Sequence, residues 1–267
     1  MSSLEKRDGF FRLEKARRSQ LTIFIIVALA IIAIILLLVV VVPKVQSGDL
    51  FRTQSPAEYY DACMKNTLKD NMEKVALGGG YLETQNYYQY KGVKYNYLCY
   101  TNEYYKQCVM QQPMIFQQFN SELKRLTLPK AQECLNSMKE NYARKGYTVT
   151  MQSAPQINMS LEENNLLVDT NVEIKFQKED TKNYGIISER YPTQMYELIS
   201  IATSILNFEA RLGGSESTVY MAYYPNVRVE KTKLSDGTTL YSLSNRKTGE
   251  TFRFATRSVA WPPGVDK

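Results

Sequence analysis

Leu21 to Val42 reads LTIFIIVALAIIAIILLLVVVV, with Thr22 as its only polar side chain and no charge, proline or glycine. A helix of this run, rising ~1.5 Å per residue, is roughly 33 Å long, enough for the ~30 Å hydrocarbon core of a bilayer. Cleaved secretory signals have a shorter apolar core, about 7–15 residues, followed by a small-residue cleavage site. Here the run ends in Val39-Val40-Val41-Val42-Pro43-Lys44. The expectation is a retained transmembrane helix over 21–43, a signal-anchor.

The flanks orient it. Residues 1–20 carry Lys6, Arg7, Arg12, Lys15, Arg17 and Arg18 against Glu5, Asp8 and Glu14, whereas Lys44 alone follows the span closely. Cytoplasmic flanks hold the lysines and arginines, so the N-terminus is expected inside and residues 44–267 outside. Phe10, Phe11 and Leu13 lie among the bases at a spacing that suits either a short helix on an anionic leaflet or a solvated arm. The expected organisation is a cytoplasmic basic arm (1–20), the transmembrane helix (21–43), a linker (44–55), a helical Cys- and Tyr-rich region (56–146) and an α+β sheet domain (147–267).

The chain has 33 Lys and Arg, 27 Asp and Glu, and no histidine. Without imidazole, Ser-His-Asp and Cys-His chemistry and most zinc sites are excluded. The basic excess outside the arm is small and spread out, which argues against nucleic acid as a partner. Four cysteines, all outside in this topology, read as two disulfides in an oxidising compartment. No Cys-x-x-Cys spacing supports a metal site, and neither metal nor cofactor is expected. Asn158-Met159-Ser160 is a candidate glycosylation sequon.

Tyr60, Cys63, Met64, Thr67, Leu68, Met72 and Val75 recur at helical spacing over Pro56–Leu77, after the capping pair Ser55-Pro56 and before Gly78-Gly79-Gly80. Tyr88 and Tyr90, then Tyr95, Tyr97 and Cys99, alternate around Lys91-Gly92. That is a hairpin with one tyrosine-rich face, a candidate contact surface. One helix is expected over Met114–Leu126 and another from Pro129 to Lys145, with Cys134 on its apolar side. If the Cys63 and Cys134 helices pack together their sulfurs meet, while Cys99 and Cys108 close a short loop, so the expected pairs are Cys63–Cys134 and Cys99–Cys108.

Past Gly146 the period becomes that of strands. These are expected at Tyr147–Met151, Ile157–Leu161, Val168–Phe176, Val219–Tyr223, Val227–Lys231, Thr239–Leu243 and Thr251–Arg257. Pro192 is expected to open the longest exterior helix, ended by Gly213-Gly214. The fold class is α+β: an N-terminal transmembrane helix, a disulfide-tied helical region, and an antiparallel-rich sheet packed with one long helix.

Arg17-Arg18-Ser19-Gln20-Leu21-Thr22-Ile23-Phe24-Ile25-Ile26, with Gly79-Gly80-Tyr81, Glu133-Cys134-Leu135 and Phe252–Ala255, resembles a recurring group of uncharacterised archaeal single-pass membrane proteins. The same opening resembles the class III signal of type IV pilins, which implies processing between Ser19 and Gln20 and packing of the apolar helix in a filament core. Pilins often place Glu at the fifth residue after that cut, and here it is Phe24.

The functional expectation is a membrane-anchored extracytoplasmic protein, not an enzyme, with a binding or cell-envelope structural role. Its partners would be the lipid bilayer and an envelope protein or glycan, without nucleic acid. The alternatives are a pilin-like subunit that self-assembles after cleavage before Gln20, and an envelope hydrolase, for which no catalytic constellation is visible.

Overall fold

The computed structural model describes residues 26–34, 36, 55–84, 86–151 and 154–262. The arm with Ser19 and Gln20, the linker up to residue 54 and much of the expected span lie outside these. Residues 26–34 are helical (α1), and every one of them is exposed, including Ile26, Val27, Leu29, Ile31, Ile32 and Ile34. No helix among the described residues is long and apolar enough to cross a membrane. Residues 55–267 form a separate compact unit.

Ser55 starts that unit with a reciprocal cap: its Oγ accepts from the Glu58 N–H at 3.2 Å and its own N–H donates to Glu58 Oε2 at 2.8 Å. Helix α2, Pro56–Leu77, follows and buries Tyr60, Met64, Leu68, Met72 and Val75 on one face. Strands β1 (Tyr87–Tyr90) and β2 (Val93–Tyr100) form the expected hairpin. Lys91 and Gly92 both have positive φ (50° and 80°), as a two-residue turn of this hand requires. After β3 (Val109–Met110), the chain enters α3, Ile115–Arg144.

The two helices expected on either side of Pro129 are therefore one. Proline removes a helical hydrogen bond and crowds the carbonyl four residues back, at about 3 kcal/mol. Here Pro129 and Arg125 are both exposed, so water can reach the released carbonyl. Phe119, Leu123, Thr127, Ala131, Cys134, Leu135 and Met138 share one buried face across the proline. Burying several large side chains, each worth about 1.5–3 kcal/mol, outweighs the local cost. Buried Asn71 of α2 also donates to Thr127 Oγ1 (3.2 Å) and the Leu126 carbonyl (3.4 Å), holding the proline turn to its neighbour.

Strands β4 (Thr148–Met151), β5 (Gln156–Glu162), β6 (Asn165–Gln177) and β7 (Thr181–Pro192) make a four-stranded antiparallel sheet. Central β6 pairs with β7 along one edge and with β5 and β4 along the other. β7 lies in a stretch where no strand was expected. Pro192 ends this strand instead of opening a helix, and α4 runs from Met195 to Leu212. It is not the longest helix, since α3 has 30 residues and α4 has 18. Its start is fixed from far away: Glu250 accepts the Gln194 N–H at 2.7 Å and the Thr193 hydroxyl, and Thr193 Oγ1 accepts the Met195 N–H at 3.1 Å. A carboxylate at a helix N-terminus is doubly favourable, as acceptor and as charge. Glu250→Ala is expected to lower stability by about 1–2 kcal/mol in urea unfolding, and an unshifted midpoint would refute this capping role.

Val219–Tyr223, expected as a strand, is part of the helix α5 (Ser217–Tyr223). Glu216 caps it by accepting from the Thr218 N–H and hydroxyl, and Val219 and Tyr223 stay exposed, so their strand-like chemistry is not used in a sheet. Strands β8 (Val227–Lys233), β9 (Thr238–Asn245) and β10 (Thr251–Arg257) then form a meander.

The larger sheet has the order β1-β2-β10-β9-β8, with β3 beside β2. β2 and β10 run parallel, with Tyr97 beside Ala255. A Cys- and Tyr-rich region and a sheet domain are thus not separate bodies: one sheet takes strands from both. Between the sheets and helices lies the main core, with Tyr241, Phe252, Phe254, Leu98, Phe119 and Leu135 almost wholly buried. The disulfides are Cys63–Cys134, joining α2 to α3 with Cα atoms 5.8 Å apart, and Cys99–Cys108, closing the loop between β2 and β3.

Candidate contact face on the six-stranded sheet

Alternation along β10 divides its side chains between two environments. Phe252 and Phe254 enter the main core, whereas Ala255, the last residue before an irregularity in pairing, meets a small second cluster on the outer face. That cluster holds Tyr97, Leu240 and Ala255, with half-buried Tyr88, Tyr90, Tyr95, Tyr100 and Leu234 packed against it.

The four tyrosines singled out in the sequence are therefore brought together. Tyr88 stands directly opposite Tyr95 in the hairpin. Tyr97 is the anchor: it is 8 % exposed, its hydroxyl bonds with Thr238 Oγ1 at 2.8 Å, and its ring meets Tyr100 edge-on at 4.9 Å. Burial pushes its phenol up to about 12 despite that hydrogen bond. A tyrosine needs its hydroxyl satisfied when buried, and Thr238 does this for Tyr97, leaving the other three rings to present their faces.

Arg253 was not visible as a site residue. It comes to this face because β10 lies beside β2, and its guanidinium sits 5.6 Å from the centre of the Tyr95 ring. It is half-buried, its Nε has no hydrogen-bond partner, and burial pulls the group below its ordinary value. Among the described residues it has no ion pair. Arg257 differs: it also lies over Tyr100 and Tyr104, but it donates to the carbonyls of Thr101 and Asp236. Lys91 over Tyr90 (5.2 Å) extends the pattern to the hairpin edge, whereas Lys94 over Tyr87 (4.4 Å) lies on the opposite face, since those two alternate with Tyr95 and Tyr88.

The face thus offers aromatic surface and one partly desolvated cation without a counter-ion. Tyrosine and arginine are the residues in which contact energy concentrates at interfaces, and an unpaired guanidinium suits a carboxylate. Among the described residues no group of acids and cysteines is placed to hold a metal. Asn158 is exposed on β5, opposite Asp169 of β6, where a glycan could be carried. Comparison with known protein families, curated proteins and solved structures finds no match.

Proposed function

We propose that this chain is a single-pass protein of the cell envelope, anchored by residues 21–43 with its N-terminus in the cytoplasm, whose exterior domain binds a partner protein without catalysis. The observation that carries the binding role is Arg253, half-buried against Tyr95 with no counter-ion among the described residues, on a face whose cluster also holds Tyr88, Tyr90 and Tyr100. A protein surface bearing an exposed carboxylate next to an apolar patch would complete it. The unbroken apolar run and the basic arm before it support the anchor.

A photo-cross-linking amino acid at Tyr88 of the full chain, activated in intact cells, is expected to yield a discrete adduct. The same group at exposed Lys139 on α3 is expected to yield none, and Arg253→Glu should abolish the Tyr88 product. External protease should digest the adduct-bearing domain and spare the N-terminal arm. Equal adducts at both positions, or none, would sink the contact face; a domain protected from external protease would sink the topology.

A further inference from the structure

A concavity lies on the inner side of β2, where the 78–84 loop, β2 and the start of α3 meet. It encloses about 620 Å³, within the ~300–1,000 Å³ usual for small-ligand sites. Its lining includes Tyr81, Glu83, Asn86, Asn96, Gln118 and Glu122, and no aliphatic side chain contributes.

Asn96 is the decisive residue. It is 6 % exposed, its side chain makes no hydrogen bond among the described residues, and its amide is not among the fully buried groups left without a partner, so what exposure it keeps opens the amide to the cleft. An amide held this way has a carbonyl to accept and an N–H pair to donate, both available to a molecule that enters the cleft. The neighbours are oriented for such a partner. Gln112 donates to Tyr81 Oη at 3.1 Å and to Gln118 Oε1 at 3.2 Å. Those contacts use acceptor capacity only, leaving the Tyr81 O–H and the Gln118 amide N–H groups free to donate into the cleft. Glu122 is held by Arg125 at 2.8 Å, while Glu83 supplies a further acceptor.

We infer that this cleft is a binding site for a neutral saccharide. Donors and acceptors alternate around it, which matches hydroxyls that both donate and accept, and planar amides can engage vicinal hydroxyls in pairs. The Tyr81 ring offers an apolar wall for a sugar face. With two acids and one base in the lining, the site disfavours phosphates and acidic sugars. A peptide side chain would find no aliphatic pocket. The site borders the Arg253 face, since Tyr97 lines it too, but Arg253 itself is not in its lining.

The test uses the full chain in lipid nanodiscs, so that no sugar-headed detergent competes. Maltose, mannobiose and chitobiose are titrated by saturation-transfer NMR and calorimetry, with a hyaluronan disaccharide and tetraglycine as counterparts. Saturable binding of at least one neutral disaccharide is expected. It should weaken roughly 25-fold in Asn96→Ala and roughly fivefold in Gln118→Ala, the losses for about two neutral hydrogen bonds and one. Should the buried Asn96→Ala chain fail to fold, Gln118→Ala at its half-buried position decides alone. Arg253→Ala should leave the affinity unchanged, which separates this site from the contact face. No saturable binding of any neutral disaccharide, tighter binding of either counterpart, or wild-type affinity in Gln118→Ala would overturn the assignment.

Discussion

Replacing Cys63 and Cys134 together by alanine is expected to lower the stability of the folded unit by about 4 kcal/mol. The two residues are 71 apart in sequence, and on the loop-entropy account a crosslink of that span removes more freedom from the unfolded chain than the 9-residue Cys99–Cys108 loop, worth about 3 kcal/mol. Alanine is the right substitute because Cys134 is fully buried among α2 and α3 side chains and a hydroxyl there would lack a partner. Urea unfolding of the double variant against the parent measures the difference. A larger loss from the Cys99/Cys108 pair than from Cys63/Cys134 would contradict the loop-entropy ordering. Non-reducing peptide maps should contain only the two native linkages.

Alkali should unfold the domain cooperatively. Burial is the main cause that pushes Tyr97 and Tyr142 up to about 12, and Tyr60, Tyr191 and Tyr241 are raised as well. For Tyr191 the nearby Asp61 adds to burial, and for Tyr241 the buried Glu209 carboxylate that accepts its hydroxyl does so. Between the ordinary phenol value of 10 and about 12, the folded chain keeps protons that the unfolded chain has released. Stability is therefore intact below pH 10 and falls as pH rises through that interval. Phenolate absorbance should show a late component that appears together with loss of the helical circular dichroism signal. Ionisation of every phenol with the helical signal unchanged would refute the burial of these five.

Local signals were legible where one short stretch contained the whole device. Ser55, Pro56 and Glu58 specify the start of α2, and Lys91-Gly92 specifies the hairpin turn, because each partner lies within a few residues. Cys63–Cys134 followed from two helix faces and Cys99–Cys108 from closeness in sequence. What escaped was set at a distance. Pro129 looked like a boundary because its local cost was visible and the buried face crossing it was not. The start of α4 depends on Glu250, 56 residues from the Gln194 N–H that it accepts. In β7 only Ile187 and Tyr191 are buried, too sparse an alternation to announce a strand. The tyrosine face could be read from β1 and β2 alone. Arg253 could not be added to it, nor Asn96 to a cleft, without the parallel pairing of β2 and β10 and the docking of α3.

That parallel pairing also sets a timetable. Thr101, just past β2, accepts a hydrogen bond from Arg257 at the end of β10, 156 residues later. At ~5–20 residues per second of synthesis, β2 waits roughly 8–30 s for its neighbour. Throughout that delay Leu98 lacks its core and one strand flank stays open to any other extended chain. The hairpin with β1, the β3 bridge and the Cys99–Cys108 link are all made from residues already at hand. Their service is thus partly temporal: they keep a central strand presentable until the last strand arrives.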